Sequence, residues 1–259
     1  MATTLATCFT VTTYDRRGTG KSTLPPAPTP DCYTVDQEIN DITLIAQHLG
    51  ATVDVYGFSS GADLALLAAQ AGAPIRTLYL LEPPLFEPGT LAVERARMKD
   101  LLARDRQQAR DYYLRDVVGI PADIVGQIPT LEQHLADVPA SLHELTFLPG
   151  CNAQRFEGLA TPTVLMVSTH NRPRLKRWAA ELEQALPQST LHELPASGMA
   201  FPRKCSWQRS AITLTSKPDQ TQPHIHTPWT GPILIGGPRP AIAGAPCLTP
   251  TQHSPRATA

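Results

Sequence analysis

The sequence predicts an α/β fold: a mostly parallel sheet with helices on both faces and a helical cap insertion. Three observations carry this. Strand-like and helix-like stretches alternate from residue 8 to about 90 and again from 163 to 194. The strands read as continuous apolar runs, the pattern of parallel strands buried on both faces. Between the two alternating parts, residues 91–147 are charge-rich and helical in pattern, without a clear strand.

Each element follows from its own residues. Residues 8–14 are β-branched and aromatic, and they feed the basic, glycine-bearing turn 15–20. After the proline-rich stretch 24–30, Thr34 and Gln37 form a capping-box pattern. Val35, Ile39, Ile42, Ala46 and Leu49 then recur at helical spacing until Gly50, which predicts a helix over about 35–49. Residues 52–56 make the next strand, 57–61 a tight turn and 62–71 a nearly fully buried helix. Residues 78–81 make a further strand that ends at Glu82-Pro83-Pro84. Alternation resumes with a strand over 163–167, a helix over about 172–186 and a strand over 190–194.

Composition divides the chain near residue 199. From residue 200 onward stand ten of the 26 prolines, and six Lys or Arg against a single Asp. The prolines interrupt almost every possible helix there, and residues 232–235 are the only strand-like piece. The expected organisation is a core over 1–199, with its cap at about 91–147, and a Pro-rich irregular or disordered tail over 200–259.

A net charge of -1 leaves no basic face for a phosphate backbone, which sets nucleic acid aside. No apolar run is long enough to cross a bilayer, and the stretch before Asp15 has neither a basic nor a sustained apolar region. The expectation is a cytoplasmic protein with no membrane partner. The five cysteines are odd in number and form no C-x-x-C pair, which argues for reduced structural thiols over a disulfide framework or a zinc site.

The sharpest motif is Gly57-Phe58-Ser59-Ser60-Gly61, a G-x-S-x-G between a predicted strand and helix. Gly57 and Gly61 remove the Cβ atoms that would collide in so sharp a turn, leaving the Ser59 hydroxyl projecting as a nucleophile. The Ser60 N–H, at the start of the helix, faces an oxyanion. A glycine-flanked strand-to-helix turn without chemistry is the plain alternative. Gly18-Thr19-Gly20-Lys21-Ser22-Thr23 also resembles the end of a phosphate-binding loop. Asp15 stands where that loop needs its first glycine, however, and Leu24-Pro25-Pro26 follows where its helix must start. Arg16, Arg17 and Lys21 read instead as a solvated loop with Asp15 pairing a neighbouring arginine.

Tyr14-Asp15-Arg16-Arg17-Gly18-Thr19-Gly20-Lys21-Ser22 resembles the Y-D-x-R-G-x-G-x-S loop of α/β-hydrolases, which in that family precedes the serine elbow by one helix, as here. With Leu81-Glu82-Pro83-Pro84 after the next strand, the chain is similar over residues 8–198 to small bacterial esterase- and peptidase-like members. The resemblance implies a serine hydrolase acting on the ester or amide carbonyl of a small molecule, with no metal and no organic cofactor. It also implies first strands and an H-G oxyanion loop that the few residues before Tyr14 do not supply. The family's histidine turn corresponds to Ala196-Ser197-Gly198-Met199-Ala200, so Met199 stands where the base is expected and the chain diverges after about residue 199.

Glu82 is the preferred acid, because residues 168–171 after the next strand carry no carboxylate; a solvated strand-end carboxylate is the alternative. His170 reads as a surface-loop residue or a substitute base, His192 as a strand residue, and His224 with His226 as an adventitious metal contact. Residues 94–116, with Tyr112 and Tyr113, read as a cap helix over the substrate or as an ordinary amphipathic helix. Two functions of different class stay open: a hydrolase working through Ser59, Ser60 and Glu82, and an inactive relative with at most a binding role.

Overall fold

The computed structural model describes residues 9–22, 33–49 and 52–195, and the backbone of 234–238. In chain order the core contains β1 (Phe9–Thr13), α1 (Val35–His48), β2 (Val53–Phe58), α2 (Ser60–Gln70) and β3 (Ile75–Leu81). The insertion follows, with α3 (Ala92–Leu102), α4 (Arg106–Tyr112), a π-helical turn (Tyr113–Val118), α5 (Ala122–Val125), α6 (Glu132–Asp137) and α7 (Ser141–Phe147). The core closes with β4 (Thr163–Ser168), α8 (Pro173–Ala185), β5 (Ser189–Leu194) and β6 (Leu234–Pro238).

The sheet has the order β1-β6-β2-β3-β4-β5. Strands β2 to β5 are parallel neighbours in sequence order. β6 runs antiparallel between β1 and β2, opposing Val11 to Gly236 on one side and Val55 to Ile235 on the other. β1 is therefore an edge strand joined to the sheet through β6. Apart from β6, the expected tail lies outside the described residues.

Local chemistry explains the elements that carry the site. The capping box at α1 forms, with the Thr34 N–H donating to Gln37 Oε1 at 3.3 Å. α2 is buried from Ser60 to Ala69, as its run of small and apolar residues requires. It packs on β2 and β3 and against α1, while α8 packs on β4 and β5. Ile42, Leu64, Leu66, Val55, Leu78, Leu80, Leu165 and Leu182 share one core, so these three helices form one layer on one sheet face. The opposite face carries a smaller cluster of Leu81, Met166 and Leu194 with Tyr56, Phe58, Tyr79 and Val164.

The insertion has its own core of Met98, Ala109, Leu114, Val138 and Leu145. Among its contacts with the main body, three hydrogen bonds lie past the carboxyl ends of strands. Gly20 N–H donates to Asp137 Oδ1 at 2.9 Å, Ser60 Oγ donates to Glu144 Oε1 at 2.6 Å, and Arg172 Nη1 donates to the Val118 carbonyl at 2.6 Å. The insertion thus sits over the edge of the sheet that carries the serine elbow.

Candidate active site at the serine elbow

Ser59 lies between the last residue of β2 and the first of α2, with φ 51° and ψ -129°. A non-glycine residue at positive φ is strained, and here the neighbours enforce it. Ser59 N–H donates to the Leu81 carbonyl at 2.9 Å, and the Ser59 carbonyl accepts from Ala62 N–H at 2.8 Å. A Cβ on Gly57 would stand 2.5 Å from the Gly61 carbonyl and 2.6 Å from Ala62 Cα, so only glycine allows helix and strand this close. Ser60 is the first residue of α2, where backbone N–H groups lack intrahelical acceptors.

Glu82 follows β3 and is itself at φ 53°. Its N–H donates to the Met166 carbonyl at 2.9 Å, and its Oε1 accepts the Ser168 N–H at 3.1 Å. The carboxylate is buried, not the solvated strand end that was the alternative reading. Burial, with the Glu82 charge behind it, pushes the Tyr56 phenol up. Backbone bonds bring Ser59, Leu81 and Glu82 to one edge, yet no hydrogen bond joins Ser59 to Glu82. Among the described histidines, His170 is exposed beyond β4 with Nδ1 3.2 Å from Thr169 Oγ1, and His192 is exposed on β5. Met199, His224 and His226 lie outside the described residues.

Behind the elbow is a buried charge network. Arg16 donates to Glu38 through Nε at 2.6 Å and Nη2 at 2.9 Å, and through Nη1 to Glu144 Oε1 at 3.0 Å and Ser60 Oγ at 3.4 Å. Tyr113 donates to Glu144 Oε2, and Tyr33 donates to Glu38 Oε1 at 2.6 Å. Burial works against the Arg16 charge, but Glu38 and Glu144 more than offset it and hold the guanidinium ionised. Burial likewise opposes the Glu38 carboxylate, and Arg16 brings it below its ordinary range. The solvated-loop reading of Arg16 is thereby corrected: the arginine is drawn inward by two carboxylates from α1 and α7. Arg17 pairs with Asp41 on α1, and Asp15 Oδ2 takes the Lys21 N–H at 2.9 Å. The Asp15 carboxylate fills the space beside Gly20 that a phosphate would need.

The sequence profile of the alpha/beta hydrolase family matches residues 1–203. The chain belongs to the alpha/beta hydrolase family. Among solved structures, this alpha/beta hydrolase is similar to one from Sphaerobacter thermophilus DSM 20745. The two are 29% identical with a TM-score of 0.62, over 73% of this chain and 75% of that one. MenH from S. aureus is 19% identical with a TM-score of 0.53, over 68% and 71%. A thermophilic esterase from Thermogutta terrifontis is 16% identical with a TM-score of 0.52, over 70% and 68%. These last two share the fold. No curated protein matches the chain.

Sequence reasoning about this family member missed Glu38 and Glu144 as partners of the elbow. Both sit on core-facing helix sides: Glu38 between the half-buried Val35 and the buried Ile42, and Glu144 among the buried Ser141, Leu145 and Leu148. A carboxylate at a core-facing helical position needs a buried partner, which is the signal that could have found them. Clefts of about 350 and 430 Å³ lie beside Arg95 on α3 and beside Trp178 on α8, and neither is lined by Ser59, Ser60 or Glu82. No group of three or more His, Cys, Asp or Glu among the described residues could hold a metal ion. No described helix is long and apolar enough to cross a membrane.

Proposed function

We propose that this hydrolase attacks the ester or amide carbonyl of a small molecule through Ser59. The carrying observation is the strained Ser59 backbone at a strand-to-helix junction that only Gly57 permits. As Ser59 Oγ bonds to the carbonyl carbon its proton passes to a general base, and the carbonyl oxygen becomes an oxyanion that the Ser60 N–H stabilises. The intermediate then collapses, the base returns the proton to the departing alcohol or amine, and water cleaves the acyl-Ser59 ester. Glu82, buried on the same sheet edge and already holding the Ser168 N–H, serves as the acid that would orient that base, and with Met199 at the position of the family histidine the base comes from another residue. Thiols without C-x-x-C spacing fit work in a reducing cytoplasm.

A second reading is an inactive relative with a binding role. Met199 at the expected histidine position favours it, because a thioether cannot take the serine proton. Reaction of the purified chain with a fluorophosphonate separates the two. The hydrolase reading expects covalent labelling that disappears in Ser59→Ala. A folded chain that stays unlabelled supports the inactive relative.

A further inference from the structure

The insertion touches the elbow through one acidic side chain. Glu144 Oε1 accepts from Ser60 Oγ at 2.6 Å and from Arg16 Nη1 at 3.0 Å, while Oε2 takes the Tyr113 hydroxyl. All four residues are buried. Glu38 already holds two donors of Arg16, so Glu144 is kept in place by the remaining guanidinium contact and two hydroxyls. Three features converge on Ser60. It follows the strained Ser59, its N–H has no intrahelical acceptor, and its side chain is tied by a charge-assisted bond to a helix 84 residues away.

We propose that Glu144 is a positioning residue, coupling the seating of the insertion to the alignment of the Ser60 N–H. This rests on the reading of Ser59 as nucleophile and Ser60 as oxyanion donor. With α7 seated, the Ser60 side chain is clamped between Glu144 and Arg16, and its peptide is held at one angle to Ser59. With Glu144 removed, the Ser60 hydroxyl and one Arg16 N–H lose their buried acceptor, and the first turn of α2 is free to tilt. A network that merely fastened the insertion would weaken stability without coupling these two residues during chemistry.

The test compares the full chain with Ser60→Ala, Glu144→Gln and the double variant. Ser60→Ala keeps the donor N–H and removes only the tether. Two readouts are taken: the rate of Ser59 phosphonylation and amide hydrogen exchange across residues 59–63. Each single substitution is expected to slow labelling by about ten-fold or more, a fraction of the loss from deleting an oxyanion donor. Exchange across 59–63 is expected to rise, and the double variant to be no slower than the slower single. Unchanged labelling and exchange, or single effects that multiply in the double variant, would overturn the coupling. A wild-type chain that takes no label overturns the Ser59 reading instead, and the exchange pattern alone then decides the coupling by the same non-additivity. If Glu144→Gln does not fold, Tyr113→Phe loosens Glu144 from its other oxygen. It is then expected to raise exchange at 59–63, and no change there counts against the coupling.

Discussion

Asp63 lies one turn into α2, fully buried, with neither carboxyl oxygen hydrogen-bonded. Burial first, and the nearby Glu144 charge second, raise its pKa well above the ordinary carboxylate range, which favours the protonated form in the folded chain. A raised folded pKa means that stability is fully present below the unfolded value, about 3.9, and is lost as pH rises toward the folded one. Asp63→Asn removes the titration at constant shape. Its thermal midpoint is expected near that of the wild type at about pH 4 and above it as pH rises toward 8, the underlying stability gap growing by no more than about 1.4 kcal/mol per pH unit. A constant difference across that range would show that Asp63 ionises in the folded chain. At this scale the sequence was most legible where a residue's role depends on its neighbours in the chain. Gly57, Ser59 and Ser60 spell a backbone shape within five positions. Arg16 and Glu144 meet across 128 positions, and nothing local in either residue names the other.

Helix α7 is where an element's role exceeds its pattern. Its length and apolar stripe suit any amphipathic helix, yet it delivers Glu144 to the elbow and His143 to the ring of Tyr33. Those two rings lie parallel, with centroids 3.8 Å apart. Burial, assisted by Arg16 and opposed by Glu38, lowers the His143 pKa to about 4. A depressed folded pKa makes the neutral ring stabilising above the unfolded value of about 6.5, and this contribution is lost as pH falls toward 4. His143 therefore opposes Asp63 between about pH 4 and 6.5, and above that window it no longer offsets the Asp63 contribution. His143→Phe keeps the stack and abolishes the titration. Thermal melts are expected to show the stability optimum moving to lower pH in this variant, and an unmoved optimum would mean that His143 is not neutral in the fold. The boundaries of α1, α2 and α8 were legible because caps, glycines and prolines mark them. The split of residues 91–147 into five α-helices and a π-helical turn was not, because that segment packs on itself and its breaks follow its own core.

For the whole molecule, the parallel run β2 to β5 was readable from apolar strands alternating with helices, whereas the placement of β6 was not. Residues 234–238 carry two glycines and a proline, a composition with poor strand propensity, and their position is fixed by backbone pairing on both sides. That pairing has a structural consequence. β1 carries the strand leading into Asp15 and Arg16, and it reaches β2 only through β6. A proline in the middle of a doubly paired strand removes a ladder hydrogen bond and is tolerated only at edges. Gly236→Pro is therefore expected to detach β1 and β6 from β2, loosen the Arg16 network and leave β2 with unpaired N–H and C=O groups along one side. Such an edge invites pairing between copies. Sedimentation at micromolar concentration is expected to show more self-association in Gly236→Pro than in the wild type, together with a melt lower by at least several degrees. If the variant sediments and melts like the wild type, β6 does not hold β1 to the sheet, and Arg16 must be kept in place by Glu38 and Glu144 alone.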